Sequence, residues 1–101
     1  MVYALSVYLC IQEWLSNLLA TPYVTVIQRV DRSRMAAGDI LVGDARLGLV
    51  DVAHLIEGGV RVFSLELDRP SLARGAILTV GQMEECGARL VEYDIQKKGE
   101  L

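Results

Sequence analysis

The chain opens on Val2-Tyr3-Ala4-Leu5-Ser6-Val7-Tyr8, an almost unbroken apolar and β-favouring run with Ser6 its only polar interruption. Such a strand suits the centre of a sheet covered on both faces, the arrangement of parallel sheets flanked by helices. After Leu9 and Cys10 the period changes. Ile11, Trp14, Leu15, Leu18 and Leu19 recur at helical spacing, with Gln12, Glu13, Ser16 and Asn17 on the wet side. At that spacing Trp14 reads as core rather than as a ligand platform. Pro22 closes the helical region.

The rest of the chain repeats this alternation. Tyr23 to Val30 alternates as a strand with one less buried face. Asp31 to Asp39 has room for a single turn but not for a full crossover helix, and Arg32 and Arg34 make it a candidate anion-facing loop. Ile40–Val42 is a short buried strand. Leu47–Glu57 reads as a helix showing Asp51, His54 and Glu57 on one stripe, stopped by Gly58-Gly59. Val60–Leu67 is a strand that Asp68-Arg69-Pro70 ends. A long loop runs to Leu78, and Thr79 with Gln82 forms a capping box for a third helix. Its inner line is Met83, Cys86 and Leu90, with Gly87 ending or bending it. Leu90–Ile95 alternates as an edge strand, and Gln96–Leu101 is a frayed polar tail. The order β-α-β-β-α-β-α-β predicts an α/β fold. It is a single Rossmann-like domain over residues 1–101, with a mainly parallel sheet of about five strands flanked by three helices.

Function is read at the strand ends. Asp39–Gly48 is an apolar strand entering a glycine turn that opens a helix, and in open α/β sheets ligands bind at that carboxyl edge. Unpaired N–H groups of the helix point there, with Asp44 and Arg46 on the rim. The alternative reading, that Gly43 and Gly48 only permit close packing, carries equal weight. A net charge of −3 excludes a basic nucleic-acid coat protein. Eight of the ten basic residues are Arg, the residue suited to forked contacts with phosphate. Arg46, Arg69 and Arg74 follow the third and fourth strands, so phosphate is their natural guest. Solvated loop charge is the bland alternative for each. A fold this small favours a site shared across a two-fold axis.

Other chemistry is thin. Cys10 and Cys86 lack metal-ligand spacing and read as free buried thiols in a reducing compartment. His54, one turn after Asp51, reads as a surface residue. No nucleophile elbow is present, and Glu84–Glu85 and Asp39 with Asp44 carry little weight as acid–base pairs. No metal and no cofactor is called for. The broken N-terminal apolar run is neither a signal peptide nor a membrane span, which implies a cytoplasmic protein.

The C-terminal half resembles a small CRISPR-associated family of type III loci. The likeness rests on Leu65-Glu66-Leu67-Asp68-Arg69-Pro70, Ala73-Arg74-Gly75, Leu78-Thr79, Gln82-Met83, Gly87-Ala88-Arg89-Leu90 and Glu92-Tyr93. It extends upstream through Gly38-Asp39 and Val42-Gly43 to Ser6 and Glu13-Trp14-Leu15. The resemblance implies a Rossmann-like ring nuclease: a homodimer that binds cyclic tetra-adenylate and cuts it to linear products without metal. The ligand's own 2′-hydroxyl attacks the adjacent phosphate, and the protein aligns it and stabilises the charge. Catalysis then falls to Arg46, Arg74 and Tyr8, and ligand contacts to Ser6, Gly43, Asp44, Ala45, Asp68 and Arg69. The expected partners are cyclic oligoadenylate and a second copy, with no duplex nucleic acid and no membrane. The chain departs from the family pattern after the first strand. Val7-Tyr8 and Leu9-Cys10 stand where Arg-His and a Pro-Gly turn are expected, and Ala76-Ile77 replaces charged residues. Two alternatives therefore stay open: a messenger-binding protein without cleavage, and a structural protein whose Arg loops meet an acidic partner.

Overall fold

Five strands form one sheet in the order β2-β1-β3-β4-β5. A computed structural model of the chain describes residues 1–5, 10–43, 47–68, 79–95 and 99. Strands β1 (Val2–Leu5), β2 (Val24–Ile27), β3 (Ile40–Gly43) and β4 (Arg61–Glu66) run parallel, while β5 (Arg89–Tyr93) joins β4 antiparallel at the edge. The sheet is thus mainly parallel, as expected, but mixed.

The layers follow from crossover handedness. From β1 the chain moves one way to β2, then back past β1 to β3 and on to β4. Right-handed crossovers in opposite directions place their connections on opposite faces. Helix α1 (Ile11–Leu19) and helix α3 (Val80–Glu85) pack on one face around Val2, Ala4, Trp14, Leu15 and Met83. Helix α2 (Leu49–Glu57) covers the other around Leu41, Val52, Leu55 and Val62. The β2–β3 connection carries one 3-10 turn, Arg32–Arg34, on the α2 side. Ala4, Leu15, Leu41, Val42, Val62 and Met83 are wholly buried. Each large apolar side chain removed from water contributes roughly 1.5–3 kcal/mol. The central place of β1 accounts for its near-continuous apolar run, and Trp14 is core.

Several boundaries move from the sequence reading. Strand β2 is shorter than Tyr23–Val30, because Asp31 caps the 3-10 turn: its carboxylate accepts the Ser33 N–H at 3.1 Å. Helix α2 starts at Leu49, with Gly48 as its extended N-cap, because Leu47 packs back onto β3 instead of entering the helix. Strand β5 spans Arg89–Tyr93 rather than Leu90–Ile95. Helix α1 ends before Pro22 acts, at Ala20, which takes the left-handed conformation at φ 52°. The Gly58-Gly59 stop and the capping box stand as read. Thr79 Oγ accepts the Gln82 N–H, and Gln82 Oε1 accepts the Thr79 N–H, each at 3.1 Å.

Candidate functional site

In a doubly wound sheet the crevice opens where the chain reverses direction along the strand order. Here that point lies between β1 and β3. They pair in parallel through Val2–Ile40, Tyr3–Leu41 and Ala4–Val42, so Leu5 and Gly43 end side by side. Residues 6–9 follow Leu5 in the chain, and residues 44–46 follow Gly43. Ser6, Tyr8, Asp44, Ala45 and Arg46 lie outside the described residues, as do Arg69 and Arg74, so their geometry at this edge is not described.

Gly43 has a structural explanation. A Cβ built there would stand 2.5 Å from Leu47 Cδ1 and 2.6 Å from its Cγ. The Leu47 side chain occupies the space that a larger residue at position 43 would need. This is the packing alternative for Gly43. Among the described residues Gly48 meets no such constraint, its nearest contact there being the Asp51 carboxylate at 3.8 Å. Beside this turn an apolar cleft of about 250 Å³ opens between α2 and the sheet, lined by Leu47, Leu49, Val52, Ser64 and Tyr93. Among the described residues no charged side chain lines it. Leu49 and Val50 at the start of α2 are 71% and 69% exposed, an apolar step at the carboxyl edge.

Asp68 is held two residues beyond β4. Its N–H donates to the Cys86 carbonyl at 2.8 Å, and its carboxylate pairs with the Arg89 guanidinium. Arg89 also donates to the Gly87 carbonyl at 3.3 Å. Asp68 thus ties the end of β4 to the α3–β5 corner. Sequence reasoning missed that role, because its partner is 21 positions away.

The other predicted features fall into place. Arg32 and Arg34 each have an acidic partner within the chain. Arg32 pairs with Asp51 at 3.5 Å and Arg34 with Asp31 at 3.3 Å. Asp51 serves Arg32, and His54 is exposed on α2. The Asp31 carboxyl sits below its ordinary range, chiefly through the Ser33 hydroxyl, which donates to it at 2.6 Å. Asp39 lies at the amino end of β3, opposite Gly43, its carboxyl held low by the Ala36 N–H. It therefore serves the loop rather than the carboxyl edge. Glu84 and Glu85 face water. Cys10 and Cys86 are free and buried, and burial pushes the Cys10 thiol up. Among the described residues no cluster of three or more His, Cys, Asp or Glu is arranged to hold a metal ion. No helix among them is long and apolar enough to cross a membrane.

Residues 3–96 match the family described as "Putative CRISPR-associated protein (Cas_VVA1548)". The chain belongs to that family. The match begins in β1 and runs past β5, so it takes in the whole sheet and both strand ends at the crevice. No curated protein and no solved structure matches the chain.

Proposed function

We propose that this CRISPR-associated protein is a ring nuclease that binds cyclic oligoadenylate, cyclic tetra-adenylate in the first instance, and opens it. The reading is supported by family membership across residues 3–96, joined to a strand-switch crevice between β1 and β3. In the proposed reaction a ribose 2′-hydroxyl attacks the adjacent phosphorus and the P–O5′ bond breaks. A 2′,3′-cyclic phosphate and a 5′-hydroxyl remain, the proton passing from the 2′ to the 5′ oxygen. No metal and no water is consumed. Arg46 and Arg74 offset the phosphorane charge and Tyr8 donates a hydrogen bond. Ser6, Gly43, Asp44, Ala45, Asp68 and Arg69 contact the ring, in a site shared between two copies in the cytoplasm.

The test is incubation of the protein with labelled cyclic tetra-adenylate in EDTA, with Arg46→Ala and Arg74→Ala alongside. Linear fragments are expected, slowed about 10²–10³-fold by loss of one charge-stabilising group. A ring that stays intact though tightly bound overturns cleavage and leaves the second reading, a messenger-binding protein. That reading is favoured by one observation: Val7-Tyr8 stands where the family pattern has Arg-His. The third reading, an Arg surface for an acidic partner, draws little support from the described arginines, because Arg32, Arg34, Arg61 and Arg89 already pair within the chain.

A further inference from the structure

Of the five arginines among the described residues, Arg29 forms no ion pair with another described residue, and the rest do. Arg29 lies two residues after β2 and lines a cleft of about 360 Å³ between β2 and the 3-10 turn. That volume lies within the range of small-ligand sites. The floor is apolar and aromatic, made of Tyr3, Ile27 and Met35, and the rim carries Arg29 and Arg34. One carboxylate, Asp31, faces both guanidinium groups, and both draw its pKa down. The cleft therefore holds two positive charges against one negative. The other clefts differ. The one beside Arg61 also contains its bidentate partner Glu92, the one beside Arg32 adjoins the Asp51 pair, and the cleft beside α2 has no charged lining among the described residues.

The Arg34–Asp31 pair does not close the cleft. Its side chains are 81% and 49% exposed, and an exposed, solvent-screened pair of this kind is easily exchanged. A phosphate can therefore take up Arg34 as well as Arg29. Guanidinium groups over an aromatic and apolar floor are the combination that holds a nucleotide, the phosphate on the cations and the base on the floor.

We infer that the cleft between β2 and the 3-10 turn binds one nucleotide through its phosphate and base, separately from the β1–β3 crevice. The inference does not depend on ring cleavage. It is tested by amide NMR titration of the full chain with adenosine monophosphate, with adenosine and inorganic phosphate as separate arms. Adenosine monophosphate is expected to perturb amides between Thr25 and Met35 and to bind more tightly than either fragment. Arg29→Ala, at an exposed position, is expected to weaken it about fivefold, the ceiling for an exposed charge pair, with the rest of the spectrum unchanged. Perturbations confined to residues 40–49, inorganic phosphate binding as tightly as the nucleotide, or affinity unmoved by Arg29→Ala would each overturn it.

Discussion

The two edges of the sheet use charge differently. At the β5 edge it is spent on architecture. Arg61 makes a two-pronged contact with Glu92, 2.9 Å on each arm, joining β4 to β5, and lies 5.1 Å over the Phe63 ring. Arg89 and Asp68 lock the corner beyond. At the β2 edge the acids are local to their loop, Asp31 capping its own turn, and Arg29 is left over. An antiparallel edge strand reached through a six-residue helix needs cross-strand ties to hold its register. A parallel edge strand fed by α1 is already anchored by Val24, which is 4% exposed. The β2 edge is thus free to present charge, and the β5 edge is not.

The largest expected effect breaks the tied edge. Gly87 has φ +72°, and a Cβ there would meet the Asp68 carboxylate, with Asp68 Cγ only 2.6 Å away. Gly87→Ala therefore combines left-handed strain with displacement of the Asp68–Arg89 pair. It is expected to cost about 2 kcal/mol, read as a fall in Tm of roughly 10 °C. An unchanged Tm would mean that the corner is not what holds β5.

How legible these edges were depends on how local their causes are. Helix α1, the Thr79–Gln82 box and the Gly58-Gly59 stop rest on residues at most four positions apart, so periodicity and cap chemistry reveal them. The edge character of the last strand showed in its Glu92 and Asp94 alternation. The ties did not, because Arg61–Glu92 and Arg89–Asp68 join residues 31 and 21 positions apart and pairing depends on strand order. The acidic partners of Arg32 and Arg34 escaped the sequence reading for the same reason in one case only. Asp51 is distant, but Asp31 stands three residues before Arg34 and was there to be read. At the crevice, Gly43 was legible as a turn residue, while its cause, the Leu47 side chain, needed the fold. Asp44 and Arg46 were named by the strand–glycine–helix pattern and the roles of Ser6 and Tyr8 by family likeness, and all four lie outside the described residues.

The middle effect improves the open edge. Ala20 ends α1 at φ 52°, four residues before β2 begins, and a left-handed alanine is strained where glycine is not. Ala20→Gly removes roughly 1–2 kcal/mol of strain and gives back part of it through a more flexible unfolded chain. A net gain of about 0.5–1 kcal/mol is expected by urea unfolding at constant m-value. A loss instead would mean that the β2 edge gains nothing from a relaxed entry.

The smallest effect is a pH dependence that separates the edges. The Glu92 carboxyl is held below its ordinary 4.5 by hydrogen bonds from the Arg61 side chain. A carboxyl lowered in the folded state contributes stability above its unfolded pKa and loses it as pH falls through the folded value. The Arg61–Glu92 tie is therefore intact at neutral pH and fades only below about 4.5. Asp31 behaves alike below its ordinary 3.8, but its first cause is the Ser33 hydroxyl within the same loop. Protonating Glu92 loosens a contact between strands, whereas protonating Asp31 loosens one turn. Glu92→Gln should therefore flatten the acid limb of the stability curve and speed amide exchange along β5. Asp31→Asn should leave β5 exchange untouched and raise nucleotide affinity at the β2 cleft, by removing the carboxylate that competes for Arg29 and Arg34. Exchange along β5 that ignores Glu92→Gln would show that both edges carry their charges for solvent alone.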